Sequence, residues 1–465
     1  MSRMLPLCVL ILTLGAALPA DDPPAKVAAP AKTTIALTVS AMAEPRPALR
    51  YTLLPELKDM NPGNPIQGYL KGFMEQNHFF HNKTAEENRE KWMVMPLKDL
   101  PLKELQGYGN PALRHADYAA RLDTPDWQIL LKLKSDGIEL LLPEVQQMRR
   151  LAASLKVRFR FEVAEKRFDA AIHTAQTMFA LARHLGEHPT LIADLVGISI
   201  ANVATDLILE MAQQPGCPNL YWALTDLPSP FIDLRKGMQG ERAILAKEFA
   251  LFGSETPLDD AGIRKALTRI DLLLYLSREG SNPESAPKTS VTLGKRARDA
   301  SAVSAARKRV VAAGLSEEKA KALPAIQILL LDAQNAYEVR RDDEMKWATA
   351  TWPQADAALS KLGKPDGLFE VMVAGIQNVV RARARLDQRI ALLRHVEAIR
   401  LYAAAHGGEL PAGLADIEVP LPNDPFTGKA FHYRMEGKKA ILHGTAPRGQ
   451  EKNPLFVPHY EVTIR

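Results

Sequence analysis

The chain has 465 residues, 46% of them hydrophobic and 24% charged, with 59 Lys and Arg against 54 Asp and Glu and a formal charge of +5. That composition excludes a disordered chain and is enough for more than one core, while the weak charge bears on solubility and is no evidence for nucleic-acid binding. Only 6% of residues are aromatic, and Ala and Leu recur at helical spacing, so the fold class is mainly α.

Residues 1–20 read as a signal peptide: Arg3, an apolar run from Met4 to Leu14, then small residues near Ala17 and Ala20. A bilayer span needs about 20 apolar residues, and Asp21 and Asp22 cut this run short. Cleavage removes Arg3 and Cys8 and leaves Cys217 as the sole cysteine, so no internal disulfide is available and no membrane span is expected afterwards. Residues 21–48, rich in Pro and Ala, read as a tether, with order starting near Leu49. A helical domain over 49–276 follows. It opens with short helices and loops punctuated by NPGNP (61–65) and GYGNP (107–111).

Pro143 is a good first helical residue, and Met148, Leu151, Leu155, Phe159 and Val163 form one apolar stripe. After Glu165, Lys166 and Arg167 a second stripe runs through Phe168, Ile172, Ala175, Phe179 and Ala182, so the spacing predicts an antiparallel helical hairpin. Residues 164–185 resemble one hairpin of a tetratricopeptide repeat, without the repeated spacing of a full array. The next helix, about 191–213, is apolar nearly all round and reads as a central bundle helix. Asp194, Asn202, Asp206 and Glu210 interrupt it, and the last three share a face that is either a solvated stripe or a ligand surface.

Residues 277–309 carry Pro, Gly, Ser and the basic Lys295, Arg296, Arg298, Arg307 and Lys308, which predicts a flexible basic insertion or, as the alternative, a segment that docks an anionic surface. The aromatics needed to stack on single-stranded nucleic acid are missing there. A helical segment spans 310–365. The last unit, 366–465, begins with a long helix from about Leu368 to Ala405 that carries Ile376, Val379, Leu386, Ile390, Leu393, Val396 and Leu401, and Gly407 and Gly408 stop it. A hairpin over KAFHYRMEGKKAILHG, reversing at Glu436-Gly437, and a terminal strand YEVTIR complete the chain.

The ending, with Leu410, Pro411 and Leu414, then Asp424, Pro425, Gly428 and Tyr433, resembles the C-terminal part of type II secretion pseudopilins. The resemblance covers about 70 residues and implies a small α+β unit of long helix plus β-hairpin. LARHLGEHPTLIADLVG and CPNLYWALTDLPSPFIDLR are similar to a group of exported helical proteins of planctomycete-type bacteria. That similarity implies export and a helical body, and it assigns no catalytic residue.

One stretch names a chemistry. RHLGEHP (183–189) holds His184, Glu187 and His188 as H-x-x-E-H, the pattern in which two histidines one helical turn apart bind zinc and the glutamate activates water. Asp206 or Glu210 is the candidate third ligand. Gly186 inside the motif and Pro189 after it predict instead that the helix stops there, Gly186 taking a left-handed cap, so that the imidazoles part. His78 and His81 read as a polar loop around two anchoring phenylalanines, with a chelating pair as the alternative, and Trp222 as a core anchor, with a binding groove as the alternative. No G-x-S-x-G, P-loop or dinucleotide fingerprint is present. The expectation is therefore an exported, periplasmic or extracellular, non-catalytic helical protein without cofactor that binds an unknown protein partner or serves as an envelope scaffold. The alternative is a zinc-dependent hydrolase with Glu187 catalytic and His184 and His188 on the metal.

Overall fold

A computed structural model describes residues 34–276, 289–363, 367–373, 375–456 and 458–465. The expected signal peptide lies outside the described residues, as does the first part of the expected tether.

The fold is mainly α, with one small sheet. Strand β1 (Thr34–Val39) is followed by short helices α1 (Pro65–Glu75), α2 (Asn77–His81), α3 (Lys83–Val94), α4 (Ala112–Ala119) and α5 (Leu130–Asp136). The central bundle comprises α6 (Pro143–Ala164), α7 (Phe168–Gly186), α8 (Leu191–Ala212), the single turn α9 (Tyr221–Thr225) and α10 (Arg235–Phe252). Next come α11 (Asp260–Leu276), α12 (Thr289–Arg296), α13 (Ala300–Ala312), α14 (Glu317–Ala322), α15 (Ala325–Met345) and α16 (Trp352–Leu359). The long helix α17 (Ile376–Ala405) leads to β2 (His432–Glu436), β3 (Lys439–His443) and β4 (His459–Ile464).

The α6–α7 hairpin forms where the two stripes predict it. Pro143 opens α6, and the chain reverses through Lys166, which takes a φ of 59°. Met148, Leu155, Phe159 and Phe179 are fully buried. Helix α8 lies at the centre, against α6, α7, α10 and α17. It is long and apolar enough to cross a membrane, but 78% of its most apolar window is buried in the protein, as expected of a core helix. Gly197 lets α7 and α8 approach closely, because a Cβ there would lie 2.7 Å from the Ala182 carbonyl oxygen.

The sheet has the order β1-β4-β3-β2. β2 and β3 form the expected antiparallel hairpin, although it turns at Gly437-Lys438, one residue later than predicted, with Gly437 at φ 60°. The terminal strand pairs with β3 on one side and runs parallel to β1 on the other, Thr34 opposite His459 through Val39 opposite Ile464. This corrects the expected tether over 21–48: order begins by Thr34, because TIALTV alternates and its Leu37 and Val39 enter the core. One face of the sheet carries the buried Leu442, Tyr460 and Val462, and Phe431 just before β2 meets His395 of α17 edge to face at 4.7 Å.

A buried ion pair within α17 joins that helix to the residue after β1 and to the loop before α9. Arg400, wholly inaccessible, meets both Glu397 carboxylate oxygens at 2.8 and 2.9 Å and donates to the carbonyls of Ser40, Cys217 and Pro218. Glu397 in turn accepts from the Leu220 backbone N–H at 3.0 Å.

Three further expectations are corrected. Of the basic insertion, 277–288 lies outside the described residues, but 289–309 belongs to α12 and α13, whose Leu293, Val303, Ala306 and Val310 are buried. Asp299 caps α13 through the Ser301 and Ala302 N–H groups. The long helix starts at Ile376, not Leu368, after a short 3-10 turn at Glu370–Met372. His78 and His81 stand on the single helical turn α2, with Phe80 buried between them and His81 Nδ1 2.9 Å from Arg150.

Candidate functional site

Helix α7 ends at Gly186, as the proline that follows predicts. The Glu187 and His188 N–H groups make short-range bonds to the His184 and Leu185 carbonyls, and Thr190 then caps α8 through the Ala193 N–H. The reason differs from the one expected at Gly186, which is not left-handed but helical. Its missing side chain matters for packing, since a Cβ there would sit 3.3 Å from two atoms of Ile232.

The three motif side chains take three different partners. His184 is buried, and its Nδ1 lies 3.0 Å from the Tyr69 hydroxyl of α1. Its own carbonyl accepts from Trp127 Nε1 at 2.9 Å. His188, completely buried just past the helix, has Nδ1 2.9 Å from Thr190 Oγ1 and packs edge to face on Trp127 with centroids 4.9 Å apart. Glu187 is solvent-facing and pairs with Lys236 at 3.2 Å. Burial, aided by Arg183, pulls the His184 imidazole down to about 4, and burial, aided by Lys236, pulls His188 down to about 3. Both rings are therefore neutral at neutral pH.

Behind the elbow between α7 and α8 lie two acids, Asp194 buried and Glu241 half-buried, whose place beside the elbow the sequence reading did not foresee. Asp194 is fully buried, and neither carboxylate oxygen has a hydrogen-bond partner. Burial first, then Glu241, Asp233 and Glu187, hold its carboxyl well above the usual range. Glu241 of α10 accepts from the Leu191 N–H at 3.2 Å, and burial pushes it up to about 7. Helix α10 reaches the elbow through two glycines. A Cβ on Gly240 would stand 1.8 Å from the Pro189 carbonyl oxygen, and one on Gly237 would stand 2.1 Å from Asp194 Oδ2. The signal for this contact is the G-x-x-G spacing at 237–240, which places both glycines on one helical face.

The other candidates are bound into the structure. Glu210 is clasped by Arg160 at 2.8 and 2.9 Å, Asp206 pairs with Arg389 of α17, and Asn202 donates to the Ile198 carbonyl at 2.9 Å. The solvated-stripe reading of this face holds in part, since Asp206 is exposed and Glu210 partly so, but Asn202 is buried and the two acids tie α8 to α6 and α17. Trp222 is half-buried rather than a core anchor, and its Nε1 donates to Glu44 at 2.9 Å. Of the basic residues, Arg307 donates to the Ala320 and Leu323 carbonyls, while Lys295, Arg296, Arg298 and Lys308 face solvent. Among the described residues no three His, Cys, Asp or Glu side chains come together as a metal centre. Cys217 is buried, and burial raises its thiol to about 12, so it is inert as a nucleophile.

The chain matches no protein-family model, no curated protein and no solved structure.

Proposed function

We propose that this chain is an exported, non-catalytic helical protein that acts at the cell envelope by presenting its surface to a protein partner. One observation carries the reading. The stretch that names a chemistry is used for internal support, with His184 held by Tyr69 and His188 held by Thr190 and Trp127. A zinc hydrolase at that stretch requires both imidazoles on one ion, with Glu187 beside a bound water. Export is supported by the signal-like residues 1–20, and an envelope setting by the resemblance of the last 70 or so residues to pseudopilins.

Among the described residues the four most exposed large apolar side chains, Leu57, Met74, Val94 and Leu131, all fall in the N-terminal segment of short helices, each at least 79% exposed. These are the positions at which a partner is expected to touch. Photo-crosslinking residues placed at Met74 and Leu131 in cells expressing the chain test this directly. A discrete adduct with one protein is expected; no adduct from either position counts against the partner reading. Metal analysis of wild type and His188→Ala tests the other half. One equivalent of zinc that disappears in His188→Ala would make the hydrolase the better account.

A further inference from the structure

Three histidines stand in one row across the C-terminal sheet. The register sets His432 of β2 opposite His443 of β3, and His443 opposite His459 of β4. Directly opposed residues on neighbouring strands project to the same face, with Cβ atoms about 4.5–5.5 Å apart. The rings accordingly lie side by side. His432 and His443 have centroids 4.7 Å apart with planes 21° from parallel, and His443 and His459 are 4.3 Å apart at 31°.

The row is on the more polar face of the sheet, on which Ile441 of β3 is nevertheless buried. The same face carries Arg434, Glu436, Lys439 and Glu461, with Lys439 and Glu461 ion-paired at 3.1 Å, whereas the opposite face carries the buried Leu442 and Tyr460. His432 is exposed and the other two are half-buried, so an ion reaches the row from solvent. His443 Nδ1 is 3.0 Å from the Gly444 carbonyl oxygen. A carbonyl only accepts, so this nitrogen carries the proton, and the basic lone pair sits on Nε2. Fixing one imidazole nitrogen on a backbone carbonyl is how ligating histidines are oriented.

We propose that the His432–His443–His459 row binds a borderline divalent transition-metal ion, of the Cu2+, Ni2+ or Zn2+ class, through two adjacent imidazoles, with His443 common to either pair. Two metal–nitrogen bonds of about 2.0–2.1 Å require donor nitrogens about 3 Å apart, so on binding the near-parallel rings turn about their side-chain bonds until their lone pairs converge on the ion. Two imidazoles and solvent complete the ion's shell, in keeping with the lack of any three-ligand centre among the described residues. Imidazole suits Cu2+, Ni2+ and Zn2+ ahead of Mg2+ or Ca2+, and Cu2+ binds tightest in the series.

The proposal is independent of the reading in the preceding subsection, and equilibrium dialysis of the full chain against Cu2+ and against Zn2+ keeps the two apart. The wild type is expected to hold one Cu2+ per chain, with nitrogen hyperfine splitting from two imidazoles in its electron paramagnetic resonance spectrum. His443→Asn is expected to weaken binding at least tenfold. His432→Asn and His459→Asn should each weaken it less, since one pair survives, and His188→Ala should not change it. All three row positions lie on the more polar face, and matching far-ultraviolet dichroism verifies that each variant is folded. No binding by the wild type, or binding that His443→Asn leaves intact, overturns the proposal. Loss in His188→Ala with retention in His443→Asn overturns it as well, and overturns the non-catalytic reading with it.

Discussion

The Tyr69 hydroxyl lies 3.0 Å from His184 Nδ1 and joins helix α1 to the last turn of α7 inside the core. Tyr69 is 1% exposed, so this hydrogen bond is shielded from water and the motif histidine serves as an anchor for the N-terminal segment. Tyr69→Phe removes the hydroxyl and leaves the ring, and it is expected to cost about 1 kcal/mol in urea unfolding, the usual worth of a buried neutral hydrogen bond. A loss of zinc from Tyr69→Phe without a change in stability would contradict the anchoring role.

The elbow gives a pH signature of definite sign. Glu241 is pushed up to about 7, so between 4.5 and 7 the folded chain holds a proton that the unfolded chain has released, and stability falls as pH rises through that window. The buried His184, His188 and His395, pulled down to about 4, 3 and 4, act oppositely. The unfolded chain binds protons there that the folded chain does not, so stability rises with pH up to about 6.5. In the wild type the two effects oppose each other, and below about 6.5 the three imidazoles outweigh the one carboxyl. Glu241→Gln removes one of them. Its stability relative to wild type is expected to be near zero at pH 4 and to grow to as much as about 3 kcal/mol in its favour by pH 8, from the size of the Glu241 shift. Urea midpoints at several pH values measure this, and parallel profiles for the two proteins would refute it.

Two glycine substitutions of the same kind should diverge. Gly240→Ala puts a methyl group 1.8 Å from the Pro189 carbonyl oxygen, which is backbone and cannot swing aside. It should destabilise by about 1–3 kcal/mol or more through overpacking. Gly294 lies in α12 with nothing within 4 Å of its notional Cβ, so Gly294→Ala should stabilise by up to about 1 kcal/mol through helix propensity. Thermal unfolding of both variants is the measurement.

Arg400→Met should be the most damaging single change on α17, because it leaves the Glu397 carboxylate buried without its cation and three carbonyls without their donor. A loss of about 3–5 kcal/mol is expected. The double variant Glu397→Gln with Arg400→Met should lose less than Arg400→Met alone, since no charge is then stranded. Denaturant unfolding of the two variants compares them, and equal losses would show that the carbonyl contacts alone set the cost.

Much of the helical body was legible because its signals are local. The stripes over 143–182, the apolar run at 191–212 and the stop at Gly407-Gly408 each lie within one element, and each element formed where its period predicted. What escaped depends on distant partners. Strand β1 sits in a Pro- and Ala-rich stretch, and only its pairing with the last strand, more than 400 residues on, makes TIALTV part of a sheet. Residues 289–309 looked like a solvated charge run because four of their basic side chains do face water, while Leu293, Val303 and Ala306 hold the helices down. At the candidate site the helix stop was foreseeable from Pro189, but the role of Gly186 was not, since the Ile232 contact lies 46 positions away in the chain. The histidine row was within reach: His432 and His443 fall opposite each other in any hairpin that turns at Gly437-Lys438. His459 needed the order of the strands.

The most direct test of the account follows the imidazole nitrogen resonances of His184 and His188 in the His443→Asn protein during a Zn2+ titration. With one ring on Tyr69 and the other on Thr190, both sets of resonances should stay fixed through several equivalents of zinc. If both shift together and saturate at one equivalent, the two rings share an ion and the chain is a metal enzyme at H-x-x-E-H.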